Sequence, residues 1–95
     1  MRRALVRTAP FNRAFRKFVR RRPALLAQIE RSLGQMEEDV FAPSLGTHKL
    51  SGELLGMRAC SCGYDCRIVF SVEKDPLSQR EVIILHGIGA HDQVY

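Results

Sequence analysis

Val82-Ile83-Ile84-Leu85 is apolar at four successive positions. A strand formed there has no face to offer water, so it belongs inside a sheet, with neighbours on both sides. The same segment runs on through Gly87-Ile88-Gly89-Ala90 to His91, followed by Asp92-Gln93-Val94-Tyr95. An imidazole and a phenol just past a buried strand are either surface decoration or parts of a site.

The material to cover that strand lies in the first half of the chain. Ala4 to Arg7 is short and partly β-branched and reads as a first strand, ahead of the helix-entry signal Thr8-Ala9-Pro10. From Phe11, apolar residues fall at Phe11, Ala14, Phe15, Phe18 and Val19, the spacing of one helical face, while Arg13, Arg16, Lys17 and Arg20 take the other. Pro23 breaks this helix and suits the first turn of a second one, whose apolar face is Leu25, Leu26, Ile29, Leu33 and Met36. Its end, Glu37-Glu38-Asp39, sets acids against the helix dipole, so fraying is expected from Gly34 to Asp39. Two helices with so short a link form a hairpin that presses its apolar faces on a sheet.

Pro43, Gly46, Gly52 and Gly56 make Phe41 to Gly56 a loop. Met57 to Cys62 and Cys66 to Val72 then read as strands around a Gly63-Tyr64-Asp65 turn, and Glu73 to Arg80 is a polar connection to the last strand, which ends at Leu85. The order is β-α-α-β-β-β. At 95 residues the chain forms one domain, residues 1–95, with a single core.

Charge is distributed very unevenly. Residues 1–22 hold nine Lys and Arg and no acid, whereas residues 23–95 hold six against ten Asp and Glu, giving +9 against −4. So basic a block calls for a polyanionic partner, either nucleic acid or an acidic protein segment. No run approaches the roughly 18 apolar residues of a membrane span, and charge returns too soon after Met1 for a signal-peptide core, so a cytoplasmic protein with no membrane partner is expected. Cys60, Cys62 and Cys66 are odd in number, and their C-x-C-x3-C spacing differs from zinc knuckles. Three buried free thiols, with no metal and no disulfide, are the expectation.

The chemistry-bearing residues cluster in the second half: His48, Lys49, Arg58, Asp65, His91 and Tyr95, with Ser51, Ser61 and Arg67 in support. Metal-free RNA cleavage needs a base for the 2′-hydroxyl, cations for the phosphorane charge and an acid for the 5′-oxygen, and two histidines with Lys and Arg cover all three.

The motifs His48-Lys49-Leu50-Ser51-Gly52, Gly56-Met57-Arg58, Gly63-Tyr64-Asp65, Arg67-Ile68-Val69-Phe70, Ile88-Gly89-Ala90-His91 and Val94-Tyr95 resemble the RelE/ParE toxin superfamily, and within it the YafQ-like toxins. The resemblance implies an α+β fold with the helical hairpin packed on a small antiparallel-rich sheet. It also implies the toxin of a type II toxin–antitoxin system, a ribosome-dependent mRNA endonuclease without a cofactor, in a hetero-oligomer with its cognate antitoxin protein. His48 and His91 match the family's catalytic histidines, Asp65 its acid after the hairpin turn and Tyr95 its terminal aromatic, while Lys49 and Arg58 fall on RelE-like cationic positions. Arg13, Arg16, Lys17, Arg20 and Arg67 would grip RNA on the ribosome and the message. Ser61 stands where YafQ-like sequences carry a further histidine, and Cys66 where they carry tryptophan. Two alternatives follow from the same superfamily: a ParE-like inhibitor of DNA gyrase, which needs no catalytic set, and a non-catalytic antitoxin-binding module.

Overall fold

The first strand, β1 (Ala4–Arg7), leads straight into α1 (Ala9–Phe18) through Thr8. The Thr8 hydroxyl accepts from the Phe11 N–H at 3.2 Å and donates to the Leu85 carbonyl at 2.7 Å. One side chain thus caps the helix and ties its start to the apolar strand anticipated at residues 82–85. The computed structural model describes residues 2–94, with Gln93 by its backbone alone. Tyr95 lies outside the described residues.

A tight turn carries α1 into α2 (Pro23–Asp39), with the Arg22 N–H bonded to the Val19 carbonyl at 2.9 Å and Arg21 in the left-handed region at φ 58°. Contrary to the expected fraying, α2 stays helical to Asp39. The reason lies in the residues before β1. The Arg3 N–H donates to the Glu37 carbonyl at 2.9 Å, filling one of the acceptors that a helix end leaves open, and Arg2 pairs with Glu38. Acids that oppose the dipole locally are offset by cations brought from elsewhere in the chain.

The segment read as a loop holds two 3-10 turns, Pro43–Leu45 and Gly52–Leu54, and a two-residue strand, β2 (His48–Lys49). After it come β3 (Arg58–Ser61), β4 (Arg67–Lys74), β5 (Glu81–Gly89) and the short α3 (His91–Val94). The sheet order is β1-β5-β4-β3-β2, with β1 parallel to β5 and the other pairs antiparallel. β5 is interior, as its apolar run requires, but it continues four residues past Leu85. The extension is possible because a bulge intervenes: Phe70 faces Leu85 and Val69 faces Gly87, so His86 is the extra residue and pairing resumes through Gly89. β4 likewise runs into the expected connection as far as Lys74. Beyond it the Asp75 carboxylate accepts from the Ser78 N–H at 3.0 Å, which holds its carboxyl below the usual range.

The core lies between the hairpin and one face of the sheet. Phe11 of α1 and Ile29, Leu33 and Met36 of α2 meet Ile68, Phe70, Ile83 and Leu85, all buried. Among the described residues no helix is long and apolar enough to cross a membrane.

The cysteines correct the sequence reading. Cys62 and Cys66, buried on either side of the β3–β4 turn with Cα atoms 5.0 Å apart, form a disulfide, and Cys60 alone is free. An odd count hid a local pair, because pairing depends on the turn that brings two thiols together and not on the total. Cys60 packs its sulfur 3.7 Å from that of Met36, and burial pushes its thiol up to about 12, with the Arg67 charge pulling weakly the other way. Such a thiol is neutral and shielded at ordinary pH. Alkylation without reductant near neutral pH should therefore leave the native protein unlabelled, add one adduct at Cys60 in denaturant, and add three once the unfolded chain is also reduced, as read by intact mass.

Candidate active site

Strand register sorts the predicted site residues onto two faces. Directly paired residues project to the same side. Lys49 pairs with Arg58, and Arg58 with Phe70, whose ring is in the core, so both cations lie on the helix side of the sheet. There the Arg58 guanidinium stacks 5.2 Å from the Phe41 ring centroid. His48 pairs with Ala59, Ala59 with Val69 and Val69 with Gly87, a row on the opposite, open face. The row above it is Ser61, Arg67 and Gly89. The structure thus groups His48, Ser61 and Arg67 and separates them from Lys49 and Arg58.

His91 follows the end of β5 and opens α3. α3 packs against β4 and β5, and its Val94 lines a cavity of about 290 Å³ with Leu54, Met57, Val69 and His86. Asp65 fixes the entry to this turn: its carboxylate accepts from the His91 N–H at 3.1 Å. Asp65 itself is held in the left-handed region at φ 50°, which Asp and Asn tolerate better than most residues. Its role in the folded chain is to place the backbone of His91. The His48 ring is set by its own loop, with Nδ1 3.1 Å from the Gly46 carbonyl.

Arg67 is the cation on this face. Its guanidinium donates to the Cys66 carbonyl at 2.9 Å and lies 3.4 Å from the Ser61 hydroxyl. A positive charge therefore occupies the neighbourhood of the histidine that the family resemblance led one to expect at position 61. Arg13, Arg16, Lys17 and Arg20 are all at least partly exposed along and just beyond α1. Lys17 and Arg20 line an open cleft of about 680 Å³ that reaches Asp65 and Ala90, the neighbours of His91.

Sequence reading passed over His86. Its Nε2 lies 2.8 Å from the Ser71 hydroxyl, which in turn donates to Glu73 at 2.6 Å. A hydroxyl has one proton, and Glu73 takes it, so the network assigns the hydrogen of the His86 contact to Nε2. The one signal in the sequence was the alternation of Ser71 and Glu73 on one face of β4; the bulge that brings His86 to them leaves no mark. Among the described residues no group of three or more His, Cys, Asp or Glu side chains is placed to hold a metal ion.

The Asp65 contact sets a prediction. Asp65→Asn keeps an acceptor oxygen and tolerates the backbone angle, so thermal stability and protection of the His91 amide from hydrogen exchange should stay close to wild type. Asp65→Ala loses both and should cost about 1–2 kcal/mol, with the His91 amide exchanging faster.

No protein-family model and no curated protein sequence matches the chain. Solved structures do. YafQ from E. coli strain BL21(DE3) superposes with a TM-score of 0.77 at 9% identity, over 98% of each chain. The toxin–antitoxin complex RelBE2 from Mycobacterium tuberculosis matches with a TM-score of 0.72 at 15% identity, over 96% of this chain and 100% of that one. A copper-bound mutant toxin from Helicobacter pylori matches with a TM-score of 0.69 at 22% identity over the whole of both chains. The helical hairpin on a five-stranded mixed sheet is the fold of the RelE/ParE toxins, with YafQ among the structures it matches.

Proposed function

We propose that this chain is the toxin of a type II toxin–antitoxin pair and that it cuts mRNA on the ribosome, using the substrate's own 2′-hydroxyl as nucleophile. The observation that supports the reading best is the hydrogen bond from the His91 N–H to Asp65 at the end of β5, beside a strand register that puts His48 and Arg67 on one face of the sheet. The fold it shares with YafQ and with the RelBE2 toxin–antitoxin complex supports the coarser part of the assignment.

In this reading His48 takes the 2′-hydroxyl proton as the O2′–P bond forms, and His91 protonates the 5′-oxygen as the P–O5′ bond breaks. The products are a 2′,3′-cyclic phosphate and a 5′-hydroxyl. Arg67 faces the charge that develops on the phosphorane oxygens, the task that Lys49 and Arg58 cannot share from the far side of the sheet. Ser61 has no basicity to contribute near neutral pH, so the two histidines carry the proton transfers. Tyr95 completes the set as a stacking or phosphate-bonding group.

The cognate antitoxin is proposed to bring an acidic, partly apolar segment to the basic face of α1, giving a hetero-oligomer. Its affinity should fall as salt rises from low to high ionic strength; a flat dependence in calorimetric titrations would count against charge as the recognition element.

Cleavage is tested with purified protein, translating ribosomes and primer extension. His91→Ala should fold and bind antitoxin as the wild type does while cutting about 10²-fold more slowly or worse. Undiminished cutting by the His48→Ala/His91→Ala double variant would sink the nuclease reading. Loss of DNA supercoiling by gyrase with intact mRNA would replace it with the ParE-like one.

A further inference from the structure

The cleft beside the site has a composition of its own. It opens between the tip of the helical hairpin and the β3–β4 turn. Lys17, Arg20, Arg22 and Tyr64 line it together with the apolar Phe18 and Leu25. The tip is built to fan charge: the left-handed Arg21 lets the chain reverse within the run Arg20-Arg21-Arg22, so that Arg20 and Arg22 line the same cleft. Arg22 is braced there, with its guanidinium 5.3 Å from the Phe18 ring centroid. Tyr64, which lines the same cleft, is fully exposed, at 101% of its reference area. The turn before it runs close over α2: a side chain at Gly63, which sits at φ 128°, would meet Gln28 at 3.1 Å. An aromatic ring that buries nothing in the fold, in a cleft lined by three cations, contributes nothing to stability that explains its place.

We propose that this cleft is a subsite for single-stranded RNA, in which a base stacks on Tyr64 while the adjoining phosphates meet Lys17, Arg20 and Arg22. The inference rests on the nuclease reading for its substrate class and adds the path by which the strand reaches the site: the cleft ends at Asp65 and Ala90, which flank His91. Cations along a groove with an exposed aromatic are the two parts that sequence-tolerant binding of a single strand requires, because every base has a face to stack and every nucleotide a charge. An acidic peptide would use the cations and leave the ring idle. Among the described residues that line the cleft the one carboxylate, Asp65, accepts from the His91 N–H. The strand would therefore be fixed at two points, by a base in the cleft and by the reacting phosphate at His91.

The test is fluorescence anisotropy with a short 2′-O-methyl oligoribonucleotide, which cannot be cut because its 2′-oxygens carry no proton. Tyr64→Ala should weaken binding about tenfold at every salt concentration, with the slope of affinity against salt unchanged, and Tyr64→Phe should bind as the wild type does. Replacing Lys17 and Arg20 with alanine should reduce that slope by about 0.7 for each phosphate left without its cation. Tyr64→Ala removes no buried surface, so its fold should be intact by circular dichroism. The proposal is overturned if Tyr64→Ala binds like wild type, if the oligonucleotide does not bind, or if a glutamate-rich peptide of matched charge displaces it equally well. Loss of cutting in the His91→Ala variant with unchanged effects at Tyr64 separates the two claims: the first bears on the chemistry and the second on the cleft alone.

Discussion

The parallel pairing of β1 with β5 is the interaction on which the rest of the molecule depends. It joins the first strand to the last, Ala4 opposite Val82 through Arg7 opposite Leu85, and such a pairing closes only through a crossover that sends the intervening helices over one face of the sheet. β1 ends at Arg7, opposite Leu85, where Thr8 turns the chain into α1. From there α1 flanks the edge of β5 that β1 leaves open, with Pro10 and Ala14 lining a cavity beside His86, Gly87 and Ile88. Parallel register thereby carries a block of positive charge from the start of the sequence to within reach of the histidine near its end.

The same pairing explains why the two faces differ so sharply. One is covered by the helices and is largely apolar. The other is left to small residues and short segments: Ala59, Val69 and Gly87 in one row, Ser61, Arg67 and Gly89 in the next, with the loop around Leu54 and Val94 of α3 lying over part of it. Glycines and alanine in those rows keep the surface low beside His48 of β2.

How much of this could be read from the residues depends on the range of the interaction involved. The helical hairpin, the β3–β4 hairpin and the interior position of β5 followed from local periodicity, because each is fixed by which side chains must avoid water. The persistence of α2 to Asp39 was not legible, since its acids are answered by Arg2 and by the Arg3 amide from the other end of the chain. The extension of β5 was hidden by the bulge at His86. For the site, His48, Asp65 and His91 were picked out as residue types and by resemblance, and the fold places Asp65 against His91. Lys49 and Arg58 were grouped with them for the same reasons, yet a strand's alternation puts each on the far side of the sheet from His48. Adjacent residues of a strand face opposite ways, so a motif such as His48-Lys49 names neighbours in sequence that are not neighbours in chemistry.

The β3–β4 turn shows how a few residues can hold both the site and its approach. Gly63 lets the chain pass close over Gln28, Cys62 and Cys66 close the turn covalently, and Asp65 accepts the positive φ that reversal requires. A disulfide across so short a loop removes little entropy from the unfolded chain, so its main effect is local: it keeps one turn in one conformation. That rigidity matters because the two groups the turn presents point to different tasks. Tyr64 stands out into the cleft, while the Asp65 carboxylate reaches across to the His91 N–H. Any motion of the turn would move Tyr64 and the His91 backbone together, and under the proposed mechanism misplacing a reacting group by about 1 Å would cost on the order of a hundredfold in rate. Fixing the turn against α2 and against itself settles the spacing of Tyr64 and the His91 backbone in the folded chain, which is the spacing that the proposed RNA path would use.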